Sequence, residues 1–249
     1  MPTRIFYLIH GRELQESRVA DRLQERGAEI LWCSHRDGDP LPDALTEFDA
    51  VVVGGGAHSV NEAARYAYLA RELAWVRRVV EAGTPYLGIC LGAQLLGAAF
   101  GASVGPRPDR RAECGYHPIE ALPAGAALFA GLDHAYSFHY EGVELPAGAA
   151  ALARSPLYPN HAFRIGRHAY GLQFHPDCRP DLMARWCALS PETLARPGAQ
   201  SLAEQLGLAA TLDPPMSRWL DRFLDLWLGA PNEAAAAAMR HRYAADAAL

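Results

Sequence analysis

A chain of 249 residues, half of them hydrophobic and a fifth charged, can bury a full core as one large domain, or as one domain with an appendage. Its formal charge of -5 and scattered Lys and Arg argue against a nucleic-acid or anionic-membrane surface. Five cysteines, odd in number and without a CxxC pair or Cys/His zinc spacing, fit reduced thiols better than a disulfide framework.

The first residues, "MPTRIFYLIHGRELQES", have neither the apolar core nor the cleavage site of a leader, and no apolar stretch is long enough for a bilayer. A cytoplasmic protein is expected. "RIFYLIH" reads as a strand, and "SRVADRLQERG" as a helix ending at Gly27 as its C′ glycine. "AEILWCS" and "FDAVVVGGG" are further strands, the second stopped by three glycines. Asn61–Gly83 has the spacing of the longest amphipathic helix, with Asn61 as its N-cap. "PYLGIC" is a fourth strand and "LGAQLLGAAFG" the helix after it. Strand and helix alternating in this way imply βαβ units around a parallel sheet, with chemistry at the C-terminal ends of the strands.

The middle third changes to short strand-like runs such as "GYHPIEAL", "AYSFHYEGVEL" and "HAYGLQF", read as an antiparallel extension of that sheet. From "RPDLMARWCAL" onward the pattern is helical, through "MSRWLDRFLDLWLG". The last stretch, "APNEAAAAAMRHRYAADAAL", reads as a docked helix or a frayed tail.

"GICLG" (Gly88–Gly92) has the spacing of a nucleophile elbow with Cys90 where a hydrolase carries serine. The helix that follows aims its N-terminus at the sulfur, which favours a thiolate, and the Leu91 amide can face a developing oxyanion. "GLQFHPD" places His175 just after a strand, with Asp177 two residues on to orient the ring. Each piece alone has a bland reading, a buried thiol or a structural histidine. The three glycines alone are a flexible turn, and His58 beside them a solvated loop residue. No G-x-G-x-x-G follows the first strand, so no dinucleotide cofactor is expected. No HExxH-like spacing suggests a metal.

Together the two motifs resemble those of the class I glutamine amidotransferases. The family elbow G-x-C-x-G-x-Q stands here as Gly88 to Gln94, and its G-x-Q-F-H-P-E motif as Gly171 to Asp177. Further likeness runs through "DGDPLPDALTEFDAVVVGGGAHSVNE" and "HYEGVELPAGAAALARSPLYPNHAFRIG", most of all to free-standing, GMP-synthase-like members. The resemblance implies a three-layer, flavodoxin-like α/β fold with a doubly wound mixed sheet and a C-terminal helical extension. It implies a glutaminase domain over residues 1–188, with residues 189–249 packed on or trailing from it. It gives Cys90 the role of nucleophile, His175 that of base and then acid, and Asp177 that of the orienting carboxylate. The oxyanion hole would use Leu91 and Gly55 or Gly56. Gln94 and the chain flanking His139, at Phe138 and Tyr140, would hold L-glutamine. No cofactor is implied, and the ammonia acceptor is expected on a synthetase-like partner chain or as a bound substrate.

Two departures stand out: Asp177 replaces the usual Glu, and "GGGAHS" is one residue longer than "GGPMS" and lacks its proline. They keep two alternatives open, a γ-glutamyl amide or peptide hydrolase with the same triad and a catalytically silent binding or regulatory subunit.

Overall fold

The computed structural model describes residues 3–229. Its first half is built from β1 (Arg4–Leu8), α1 (Arg18–Glu25), β2 (Glu29–Cys33), β3 (Ala50–Val53), α2 (Ala67–Glu81), β4 (Tyr86–Ile89) and α3 (Leu91–Ala99). The strands are nearly continuous apolar runs because both faces are covered. Along β1, Ile5 and Tyr7 enter one core while Phe6 and Leu8 enter the other. In β3, Ala50 and Val52 alternate with Val51 and Val53 in the same way, the period of two that a pleated strand imposes. Ser17 caps α1, accepting from the Ala20 amide at 3.4 Å, and Gly27 follows its end at φ 80°.

Helix α2 departs from the sequence reading. It starts at Ala67, not at Asn61, because Ser59 and Glu62 close a capping box around a separate turn over Val60–Glu62. The Ser59 hydroxyl accepts from the Asn61 amide at 3.2 Å, and the Asn61 side chain donates to the Val104 carbonyl at 2.8 Å.

The second half supplies β5 (Val104–Pro106), β6 (Glu113–Pro118), β7 (Glu120–Ala121), β8 (His134–His139), β9 (Glu141–Val143), β10 (Ala150–Arg154), β11 (Ala162–Ile165) and β12 (Ala169–Leu172). The main sheet runs β2-β1-β3-β4-β12-β11-β10-β7. Its first five strands are parallel and the last three antiparallel to their neighbours. The expected antiparallel extension is therefore only partly right. Strand β12 returns parallel to β4, and β5–β9 and β6–β8 form two small sheets of their own. The fold is that of a three-layer, doubly wound mixed sheet.

Helices α4 (Pro180–Leu189), α5 (Pro191–Leu194) and α6 (Leu202–Gly229) follow. At 28 residues α6, not α2, is the longest helix among the described residues. It continues through Pro214 and Pro215, which remove two helix amides. Packing overrides that cost: Met216, Trp219, Leu220, Phe223, Leu224 and Trp227 recur at helical spacing and are at most 1% exposed, in the core shared with β1 and β4. The "APNEAAAAAMRHRYAADAAL" tail lies outside the described residues. Among those residues no helix is long and apolar enough to cross a membrane.

Candidate active site

Parallel strands all end on one side of a sheet, so the residues just past β1, β3, β4 and β12 share an edge. Those residues are His10, the Gly54-Gly55-Gly56 loop, Cys90 and the segment leading to His175.

Cys90 occupies the sharp joint between β4 and α3 with φ 51° and ψ -104°, one of two non-glycine residues at positive φ in the described chain. Such a conformation costs on the order of 1–3 kcal/mol and persists only where its surroundings enforce it. Enforcement comes from the Cys90 amide, which donates to the Leu172 carbonyl at 2.8 Å, and from the Gln94 amide, which donates to the Cys90 carbonyl at 3.0 Å. The flanking glycines are required for space, since the positive φ belongs to the cysteine. A methyl group at Gly88 would strike the Gly92 carbonyl, and one at Gly92 would strike the Val53 carbonyl. Leu91 is the first residue of α3, and amides in a first turn have no partner within their own helix.

His175 follows β12 and is held by its amide, which donates to the Tyr136 carbonyl of β8 at 2.7 Å. Its Nδ1 lies 3.0 Å from Asp177 Oδ1, so the shorter carboxylate reaches the ring where the family carries Glu. That bond leaves Nε2 for the sulfur. A methyl group at Gly55 would lie 2.8 Å from His175 Cε1 and 3.6 Å from Cys90 Cβ, so both side chains press on the same glycine. The edge of Trp186 closes the far side of the ring, with centroids 4.7 Å apart. Burial opposes charge on the His175 ring, but the negative groups of Asp177 and Cys90 and their hydrogen bonds outweigh it, raising its pKa to about 10. That leaves the ring protonated at neutral pH.

A cavity of about 270 Å³ opens over this pair, lined by Cys90, His175, Asp177, Gly54 to Gly56, Phe138 and Trp186 among others. Of the expected site residues, Leu91, Gln94 and Tyr140 lie outside this lining. The Gln94 amide donates to the Glu141 carbonyl at 3.2 Å and to Gln173 Oε1 at 3.3 Å, and the Arg196 guanidinium covers the Tyr140 ring at 3.7 Å. His58 is also not the solvated residue its sequence context suggests. It stacks on Tyr66 at 3.9 Å between centroids and bonds the Tyr68 hydroxyl at 2.6 Å.

Sequence reasoning missed His10. Its Nδ1 donates to the Gly55 carbonyl at 2.9 Å, and its Nε2 lies 3.0 Å from Glu72 Oε2, with both side chains at most 1% exposed. A carbonyl only accepts, so Nδ1 carries a hydrogen. The pair anchors the glycine loop from beneath. No local pattern reveals it, because Glu72 lies on α2, far from His10 in sequence.

The other four cysteines are buried away from the cavity. Burial pushes the Cys33 thiol up to about 12 and raises those of Cys114, Cys178 and Cys187 as well.

Residues 15–185 match the family described as glutamine amidotransferase class-I. YfeJ of Salmonella typhimurium, a glutamine amidotransferase-like protein, is 29% identical over 231 residues, covering 89% of this chain and 96% of that one. A glutamine-hydrolyzing GMP synthase of Aeropyrum pernix is 32% identical over 191 residues, which is 72% of this chain but 35% of the synthase. Against the solved glutamine amidotransferase of Methylobacillus flagellatus the TM-score is 0.82 at 25% identity, over 92% of this chain and 94% of that one. With elbow, histidine segment and glycine loop meeting at one sheet edge inside the matched span, this chain belongs to the class-I glutamine amidotransferases.

Proposed function

We propose that the protein hydrolyses L-glutamine to glutamate and ammonia through a glutamyl thioester on Cys90. The observation that carries this reading is the convergence of Cys90 and His175 on the same point beside Gly55, in the lining of one cavity. The thiolate attacks the carboxamide carbon, and the carbonyl electrons move to an oxygen facing the Leu91 amide and an amide of Gly55 or Gly56. As the tetrahedral adduct collapses, the C–N bond breaks and His175 passes its proton to the nitrogen, which leaves as ammonia. The neutral imidazole then takes a proton from water, the resulting hydroxide attacks the thioester, and the sulfur leaves as thiolate while glutamate departs. Asp177 keeps the ring oriented throughout. Phe138 and Trp186 wall the substrate side. Gln94, one turn into α3, supports β9 through its main chain.

The ammonia acceptor is assigned to a partner chain or to a second bound substrate. The chain matches about a third of a GMP synthase named for glutamine hydrolysis, which supports a synthetase-like partner.

A glutamine-analogue diazo-ketone followed by mass spectrometry tests the reading. Labelling confined to Cys90 and abolished in His175→Ala supports it. Even labelling of all cysteines overturns it in favour of a silent subunit. Rapid release of amine from γ-glutamyl conjugates, with poor turnover of glutamine, overturns the substrate assignment and leaves the triad standing.

A further inference from the structure

Outside the cavity lining, three side chains converge on one another. Glu113 of β6, His139 at the end of β8 and His161 just before β11 are fully buried or nearly so. Glu113 Oε2 lies 3.6 Å from His139 Nε2 and 3.6 Å from His161 Nδ1, and the three facing atoms lie within 4.8 Å of one another. Neither Glu113 oxygen, nor His139 Nε2, nor His161 Nδ1 makes a hydrogen bond of good geometry. Burial raises the Glu113 pKa to about 7, and the Ser155 hydroxyl and Leu157 amide, which approach the carboxyl, only partly oppose that rise.

The opposite ring nitrogens are engaged. His139 Nδ1 donates to the Glu141 carbonyl at 3.0 Å, which fixes the tautomer and leaves the Nε2 lone pair aimed at the cluster. His161 Nε2 meets the Ser137 hydroxyl at 3.3 Å; when that hydroxyl accepts from Nε2, the Nδ1 lone pair faces the cluster. Separations of 3.6 Å are too long for direct hydrogen bonds. They suit a shared ion, since ligands about 2.0–2.2 Å from a tetrahedral centre lie roughly 3.3–3.6 Å apart.

We propose that Glu113, His139 and His161 form a buried binding site for a divalent transition-metal ion, zinc in the first place. Two neutral imidazoles and one carboxylate make a donor set suited to zinc or a neighbouring first-row ion. The ion ties the β6–β8 hairpin to the main sheet. That hairpin carries Phe138, which lines the cavity, and the Tyr136 carbonyl, which holds the His175 amide. No metal signature is visible in the sequence because the ligands come from three separate segments, without the short spacing of a local motif.

The test is cobalt and zinc binding to full-length protein stripped with a chelator. One ion per chain is expected, with ligand-field absorption of four-coordinate cobalt and no thiolate charge-transfer band. Binding should persist in Cys90→Ala. It should weaken at least about tenfold in Glu113→Gln and in His161→Gln, and roughly 10–100-fold in Ser137→Ala, which removes an outer-shell partner. Zinc should raise the melting temperature of the wild type but not of Glu113→Gln. If those variants fail to fold, X-ray absorption on the zinc-loaded wild type decides, with nitrogen and oxygen ligands supporting the site and sulfur overturning it. Failure of the wild type to retain either ion, or binding that survives both ligand substitutions, also overturns the proposal. The outcome is independent of glutaminase activity.

Discussion

Two buried clusters, a short distance apart along β8, teach opposite lessons about histidine. At the sheet edge, Asp177 touches the His175 ring at 3.0 Å and Cys90 supplies a second negative group, so the ring holds its proton to about pH 10. Outside the cavity lining, the Glu113 carboxyl stands 3.6 Å from two rings, and burial pushes His161 down to about 3. Burial is common to both clusters. What differs is whether a carboxylate closes a true hydrogen bond with the ring, and whether that carboxylate keeps its own charge; the Glu113 pKa is about 7. On the proposed readings, one cluster moves a proton and the other presents lone pairs to a metal ion.

The sharpest break in this contrast is removal of the charged pair. Cys90→Ala or His175→Ala should reduce glutamine turnover by roughly 10⁴-fold or more, as loss of a nucleophile or its base does, measured as ammonia release. Gly55→Ala comes next. Its methyl group would lie 2.8 Å from His175 Cε1 and wedge the ring from the sulfur, and about 10²-fold in kcat is expected with the melting temperature little changed. Wild-type rates in that variant would show that the ring is free to move aside. Loosening the loop from below is milder: Glu72→Gln should lower kcat about tenfold, by releasing His10 from the Gly55 carbonyl, with the thiol still labelled by a small electrophile.

The smallest effect is a titration. The folded-state pKa of His175, about 10, exceeds its ordinary value of 6.5. Its charged form thus stabilises the fold fully below 6.5, and that stabilisation fades as pH rises through about 10. The His175 ring resonance should stay at its imidazolium position at neutral pH and move only on approach to pH 10, whereas Asp177→Asn should bring that transition downward. A ring already neutral at pH 8 would remove the charged pair from the mechanism.

How much of this was legible beforehand follows from how local each signal is. The elbow and the histidine motif are contiguous, so Cys90, His175 and Asp177 could be named from spacing. The parallel half was legible because both-face burial leaves unbroken apolar runs such as "AVVV". The β12–β4 pairing was not, since short alternating runs do not state their partner. The start of α2 is hidden in the sequence because a three-residue turn with its own capping box mimics the start of a longer helix. The His10–Glu72 anchor and the Glu113, His139 and His161 cluster arise only when distant segments meet. The two prolines of α6 would end an isolated helix, and only the aromatic face buried beyond them explains why the chain continues.

All five cysteines are buried, but of them only Cys90 lines the cavity, and this has a practical corollary. An electrophile small enough for the cavity should add once to each native molecule and more often only after the chain has opened. The tally of modified sulfurs per molecule then doubles as a gauge of conformational integrity, readable in a crude mixture by intact mass and requiring no assay of turnover.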